Sequence, residues 1–208
     1  MEKTEERIWP DEMNAMNGML LEHIARYQFA IHYAKGRVLD IACGSGFGTQ
    51  IIAKAAKKRL TEVIGVDRDV ETIVYAKGRY YHPLVTFEAQ NAADPMLPEK
   101  LGMFDSIFSF ETIEHIQDET MYLDHLYTML KPGGTLIIST PFGHGRGQPT
   151  LEKFHVHQLT EHEFFSTFNR YESVECYYQR GVLVEPVPGR KGRHYPIGIV
   201  VCTKNEME

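Results

Sequence analysis

Val38–Thr49 reads VLDIACGSGFGT, an apolar run that carries one carboxylate into a glycine-rich turn. The run has the character of a buried strand. Glycines placed after it allow a tight turn and let a ligand lie against bare backbone where a helix begins. Such a strand, turn and helix serve more than one class of nucleotide ligand. For a nicotinamide dinucleotide, the pattern G-x-G-x-x-G starting at Gly44 needs its third glycine at position 49, where Thr49 stands, while Gly48 comes one residue early. Asp40 points the same way. A carboxylate four residues ahead of Gly44 brings negative charge toward a site where a pyrophosphate would add more, so a ligand with a cationic end suits it better.

Outward from this turn, short apolar runs alternate with helical periods. Residues 37–42, 61–67, 84–89, 104–110 and 134–140 read as strands, and 48–59, 69–81 and 118–130 as helices. That alternation predicts an α/β fold in which a parallel sheet is covered on both faces. Upstream, Met16, Leu20, Ile24 and Tyr27 fall on one helical stripe that ends by Gly36, which predicts one or two N-terminal helices. Residues 141–158, rich in Gly, His and Pro, have no period and read as one long functional loop. Thr160 and Glu163 form a capping box for a further helix that buries Phe164, Phe165 and Phe168. Two last strands are expected at 171–178 and 195–202. With no repeat, low-complexity tract or linker, residues 1–208 read as a single domain.

Composition limits the function classes. A chain of 208 residues with 43% hydrophobic content suits one domain with a real core. Its formal net charge of -6 lacks the basic surplus that a phosphate backbone attracts, so no nucleic-acid partner is expected. Cys43, Cys176 and Cys202 are few, odd in number and widely spaced, which fits a reducing, cytoplasmic setting better than a disulfide framework or zinc site. The charged N-terminus is unlike a signal peptide, and no apolar run approaches the ~20 residues of a membrane span.

S-adenosylmethionine meets the requirement that Asp40 sets, since it carries a sulfonium and an ammonium group and no phosphate. Asp67, 23 residues beyond Gly44 at a second strand end, is placed to accept two hydrogen bonds from ribose hydroxyls. Arg68 is placed to cover an adenine face with its planar guanidinium, and Asn91 with the Ala92 backbone to read the adenine edge.

Together VLDIACGSGFGT, VIGVDRD (63–69), FEAQNAAD (87–94), FDSIFSFETIEHI (104–116) and LKPGGTLIISTP (130–141) resemble, in order and spacing, the class I S-adenosylmethionine-dependent methyltransferases of the type 11-like group. The resemblance covers roughly residues 37–141. It implies a Rossmann-like three-layer αβα sandwich with a seven-stranded, mostly parallel sheet whose last strand runs antiparallel. It also implies a helical lid over 1–36, a cofactor-binding core over 37–141 and a substrate side over 142–208. Carried over, Asp40, Ala42, Gly44, Ser45 and Gly46 would line the methionine end and Asp67 the ribose. Arg68, Asn91 and Ala92 would take the adenine, while Ser109, Phe110 and Glu111 would sit beside the transferred methyl. Arg26 in the leading helix would pair with the cofactor carboxylate. Asn91 replaces an acid often found there, and SFET (109–112) lacks the Asp/Asn-Pro-Pro-aromatic signature of nucleobase methylation. Residues 152–164, EKFHVHQLTEHEF, resemble a segment of methyltransferases associated with cell-surface glycan synthesis, which implies a small-molecule, glycan or phosphate acceptor methylated at oxygen.

His144, His155 and His157 are the candidate general bases, with His162 just beyond the loop. Glu111, Glu114 and His115 have a spacing that permits an oxygen-rich metal site and resemble a segment of ubiquinone-biosynthesis O-methyltransferases, but ordering of the loop over the cofactor is the preferred reading and no metal is expected. Residues 189–194, GRKGRH, read first as a solvated hairpin tip and second as an anion holder. Tyr127 and Lys131 match the Y-x-x-x-K spacing of short-chain reductases by coincidence, because Lys131 ends a helix. Two rival readings stay open: an NAD(P)-dependent reductase, and a non-catalytic protein that binds the methyl donor as a partner of another chain. The expected assembly is a monomer or homodimer.

Overall fold

In the computed structural model of the chain, residues 7–150, 152–186 and 194–206 are described. The alternation seen in the sequence produces strands β1 (Gly36–Ile41), β2 (Leu60–Asp67), β3 (Val85–Ala89), β4 (Phe104–Phe110) and β5 (Leu130–Pro141). They run parallel in the order β3-β2-β1-β4-β5. Then β6 (Ser173–Arg180), β7 (Leu183–Glu185) and β8 (Ile197–Thr203) extend the sheet beyond β5 in the order β8-β6-β7. The last strand, β8, pairs antiparallel with β5, as the resemblance implies, and β6 inserts outside it. The sheet has one strand more than the seven expected. Short β7 lies within the stretch that reads as a connection, and three residues of its kind leave no periodic trace; it pairs antiparallel to β6 at the open edge.

Helices α1 (Gly18–Ala30), α2 (Phe47–Ala56) and α3 (Val70–Arg79) cover one face. On the other face lie α4 (Leu97–Leu101), α5 (Glu119–Met129) and α6 (Glu161–Ser166). The period-2 alternation of each strand assigns its side chains to these layers. From β1 and β4, Leu39, Ile41 and Ile107 join Tyr122, Leu126, Phe164 and Phe168 in one core. Val38 and Phe108 face the opposite way and join Leu20, Tyr27, Ile52 and Ala53 in the second. The capping box of α6 forms as the sequence predicts, with Thr160 and Glu163 reciprocally bonded.

The N-terminal stripe is only partly realised. Asn17 caps α1 by accepting from the Leu20 amide, so Met16 lies before the helix and is exposed, while Leu20 and Tyr27 are buried. The helix is fixed by a close approach: a Cβ on Gly48 would lie 1.9 Å from the Tyr27 ring. This accounts for the glycine that comes one residue early. It makes room for α1, and the next residue, Thr49, turns its hydroxyl to Asp40.

Gly48→Ala should therefore lower the stability of the chain by about 1–3 kcal/mol, the usual cost of overpacking, as measured by urea unfolding. A variant as stable as the parent would contradict this packing.

Candidate active site

The carboxyl ends of β1, β2 and β4, together with the segment after β3, open onto one cavity of about 600 Å³, within the range of small-molecule sites. After β1 two residues take the left-handed conformation: Ala42 at φ +58°, where its Cβ is strained, and Gly44 at φ +55°, which glycine adopts freely. A Cβ on Gly44 would meet nothing within 4 Å, so bare backbone faces open space where a ligand can lie. Gly46, also at positive φ, caps α2 and has a different task. A Cβ there would lie 2.7 Å from the Phe87 ring and 2.8 Å from Ala76, so this glycine brings α2, α3 and β3 together and does not line the cavity.

At the end of β2, Asp67 lines the cavity with Arg68, Asn91 and Ala92. One Asp67 oxygen accepts from the Gly44 amide at 3.0 Å and the other from the Asp69 amide at 2.9 Å. The carboxylate is thereby held at the lip of the glycine turn. Asn91 uses its side-chain oxygen on the Ala93 amide at 3.0 Å, closing a local turn.

Three expected cofactor residues lie off the cavity wall. Gly46 is one. Asp40 is another: its side chain projects with Val38 toward the helical layer, where it accepts from Thr49 Oγ1 at 2.6 Å and from the Tyr27 hydroxyl at 3.1 and 3.2 Å. Tyr27 forms the cavity wall in its place. Burial pushes the Asp40 carboxyl up to about 7, against the lowering effect of the Thr49 and Tyr27 hydroxyls. The third is Ser109. Strand alternation turns it to the opposite layer, where its hydroxyl pairs with Tyr122 at 2.8 Å. Phe110 and Glu111, the next two residues, do reach the cavity.

Arg26 is on the wall although only 1% exposed. Its Nη1 donates to Gln179 Oε1 at 2.8 Å, its Nη2 lies 3.0 Å from His23 Nδ1, and its Nε has no hydrogen-bond partner among the described residues. A buried guanidinium with a donor to spare fits a carboxylate ligand. Burial, and then the Arg26 charge, lower the His23 ring to about 4, so His23 is neutral at physiological pH.

The opposite wall comes from the loop after β5, which is pinned rather than loose. The Val156 amide donates to the Glu114 carbonyl at 2.8 Å, His115 Nδ1 lies 3.0 Å from the Phe154 carbonyl, and Gly145 bridges Gln158. This fold-back carries Phe154, His155 and Gln158 into the cavity beside Glu111 and Glu114. Glu111 holds a positive φ of +48° and accepts from Ser139 Oγ at 2.7 Å. Backbone strain at both Ala42 and Glu111 is of the kind that collects at working sites. Glu114 is buried, accepts from Thr140 at 3.1 Å, and is pushed well above the usual carboxylate range by that burial and by Glu111.

Of the three candidate bases, His155 alone reaches the cavity. His157 is turned under the loop, with Nε2 3.8 Å from Glu119, and His144 is exposed on the outer side of the loop. The metal-permitting set also differs from the spacing argument. Glu114, His115 and His155 bring donor atoms within 4.8 Å of one another, whereas Glu111 is engaged by Ser139. Lys131 is paired with Asp105 at 2.8 Å and lies outside the cavity, as does Tyr127. Of GRKGRH, residues 189–193 lie outside the described residues. Sequence reading missed Arg7 and Ile8, which line the cavity near Asp67. Among the described residues no helix is long and apolar enough to cross a membrane.

A family model described as a methyltransferase domain matches residues 32–183. A probable S-adenosylmethionine-dependent methyltransferase of Mycolicibacterium smegmatis is 35% identical over 146 residues, 68% of this chain and 53% of that protein. A ubiquinone biosynthesis O-methyltransferase of Xanthomonas axonopodis pv. citri is 29% identical over 133 residues, 62% of this chain and 51% of that protein. The chain thus spans about half the length of these curated relatives. Among solved structures, the DhpI-SAH complex aligns with a TM-score of 0.62 at 16% identity, over 92% of this chain and 89% of that one. At that identity the likeness is one of fold.

The raised Asp40 carboxyl makes a signed prediction. Its folded value lies above its ordinary 3.8, so the folded state binds the extra proton and loses stability as pH rises from about 4 to about 7. Each unit of separation is worth about 1.4 kcal/mol. Asp40→Asn, which is neutral at every pH and like the protonated acid carries both a donor group and an acceptor oxygen, should gain on the parent by at least ~1 kcal/mol between pH 5 and pH 8 in urea unfolding. An unchanged difference at the two pH values would refute the burial argument.

Proposed function

The chain belongs to the S-adenosylmethionine-dependent methyltransferase family, and from that premise we propose that it transfers a methyl group to a hydroxyl oxygen of a small-molecule or glycan-type acceptor. One observation carries the reading: the nucleotide-type residues and the loop imidazole line the same cavity. Asp67 would hold the ribose, Asn91 and Ala92 the adenine edge, Arg68 the adenine face, and Arg26 the methionine carboxylate. Ala42, Gly44, Ser45, Phe110 and Glu111 would line the methionine and methyl positions.

Bound there, S-adenosylmethionine supplies a methyl group on a sulfonium that leaves as a neutral thioether. The chain's contribution is placement and proton transfer. Phe110, Ile116, Phe154 and Ile197 give the acceptor end an apolar wall that excludes water. His155 would take the acceptor hydroxyl proton as the carbon–oxygen bond forms, with the Glu114 carboxyl beside it. Oxygen as the target draws support from the name of the Xanthomonas relative, and from the loop imidazole of His155, which lines the cavity next to the His115 ring, where a base is needed. A glycan-type or other small acceptor is favoured over nucleic acid by the chain's net charge of -6.

Calorimetric titration with S-adenosylhomocysteine, the methyl donor and NAD tests the cofactor assignment. The first two should bind and NAD should not, and Asp67→Ala should lose about 10–100-fold in affinity, the equivalent of one or two hydrogen bonds to a charged group. Full affinity in Asp67→Ala would overturn the site map. Methyl-labelled donor incubated with pooled small metabolites and oligosaccharides should label that fraction, and His155→Ala should cut turnover by about 10²–10⁴-fold with donor affinity kept. Donor binding with no labelling of any pool would favour the non-catalytic reading.

A further inference from the structure

The segment from Arg7 to Asp11, which lies ahead of α1, starts on the cavity wall with Arg7 and Ile8 and is fastened to the glycine turn and to α3. Arg7 Nη1 donates to Asp69 Oδ2 at 2.8 Å and to the Thr72 hydroxyl, and Nη2 lies 3.6 Å from Asp67 Oδ1. The Ile8 carbonyl accepts from Ser45 Oγ at 2.7 Å. Trp9 meets Tyr75 edge-on with ring centroids 4.9 Å apart. Asp11 accepts from both Arg79 nitrogens, at 2.6 and 2.9 Å, and from the Tyr75 hydroxyl at 2.8 Å. Four of these five positions thus bridge the glycine turn and α3, the two elements that flank Asp67, and Arg7 and Ile8 form part of the cavity lining.

We propose that Arg7–Asp11 is a gate for the adenosyl ligand, latched by Arg7, and that it must lift from α3 before the ligand enters or leaves. This rests on the reading of the cavity as the methyl-donor site. The latch is placed on the ribose acid itself. Asp67 already spends one bond on Gly44 and one on Asp69, and the guanidinium approaches it from the cavity side. The fastenings suit a segment that opens. Asp11 and Arg79 are half exposed, and such pairs contribute little in water. Ile8 and Trp9 are its buried residues, Ile8 against the core under α1, and the strap takes no part in the strand pairing, so lifting it unpacks one core side chain and leaves the sheet ladder in place. Helix α1, in contrast, is held by buried Tyr27 and Arg26 and is part of the body of the domain.

The chain supplies its own reporter, because Trp9 is its one tryptophan. Stopped-flow fluorescence of the full chain mixed with S-adenosylhomocysteine should show an observed rate that levels off with ligand concentration, at a ceiling set by strap opening. Arg7→Ala should raise that ceiling and the dissociation rate together, at least tenfold, while calorimetric affinity shifts less than threefold; Arg7→Lys should restore part of the delay. A rate that climbs linearly with no ceiling, and is the same in Arg7→Ala, overturns the gate and leaves the site reading intact. Faster dissociation alone, with affinity lost in proportion, makes Arg7 a ligand contact and also overturns the gate. If the parent chain fails to bind S-adenosylhomocysteine in the calorimeter, the functional reading falls and the gate with it.

Discussion

A carboxylate buried between three elements organises this end of the molecule. Asp40 at the end of β1 is met by the Thr49 hydroxyl from α2 and the Tyr27 hydroxyl from α1. A charge in that position is costly unless it is bonded, and the two hydroxyls together with proton uptake offset the cost. The consequence is geometric. With α1 tied to the first strand and to the helix after the glycine turn, Tyr27 becomes a wall of the cavity and Arg26, one residue before it, is carried to the cavity edge. Gly48 completes the arrangement by leaving space for the Tyr27 ring.

From that fixed corner, strand alternation decides which residues reach the ligand space. On β4, Ser109 and Phe110 are neighbours in sequence and face opposite layers, so one pairs with Tyr122 and the other bounds the cavity. Glu111 follows at positive φ, a conformation that redirects the chain into the short helical turn Ile113–His115. The loop after β5 is then drawn down onto that turn by the bond from the Val156 amide to the Glu114 carbonyl. An acid-rich turn and an imidazole-bearing loop, separated by some forty residues of chain, thus become one wall.

Much of this was legible in the sequence, and what was not has physical causes. The glycine turn, Asp67 at the second strand end, the Thr160 and Glu163 capping box and the parallel pairing of the first five strands rest on local patterns with fixed spacing, and all of them form. Spacing singles out Asp40 but not its neighbours: the side chain bonds Thr49 and Tyr27 and lies off the cavity wall, because distance ahead of the glycine turn does not say which layer a strand residue faces. The histidines were beyond spacing for a related reason: His155 and His157 alternate on an extended stretch, yet the loop folds so that only the first enters the cavity. Arg7 and the strap left no signal at all. Their contacts reach across long stretches of chain, from Ile8 to Ser45 and from Arg7 and Asp11 to α3, through one or two hydrogen bonds each, and a charged N-terminal stretch reads as solvent-facing until the partner is seen.

The central claim is that an adenosyl ligand lies across the glycine turn, with its ribose on Asp67 and its amino-acid end toward Arg26. A crystal structure of the chain with S-adenosylhomocysteine tests it most directly. The account predicts both ribose hydroxyls within hydrogen-bond reach of the Asp67 carboxylate, the ligand carboxylate on the Arg26 guanidinium, and the sulfur directed at the space in front of His155. Ligand density on another face of the sheet, or a ligand in this cavity reversed so that adenine meets Arg26, would contradict it.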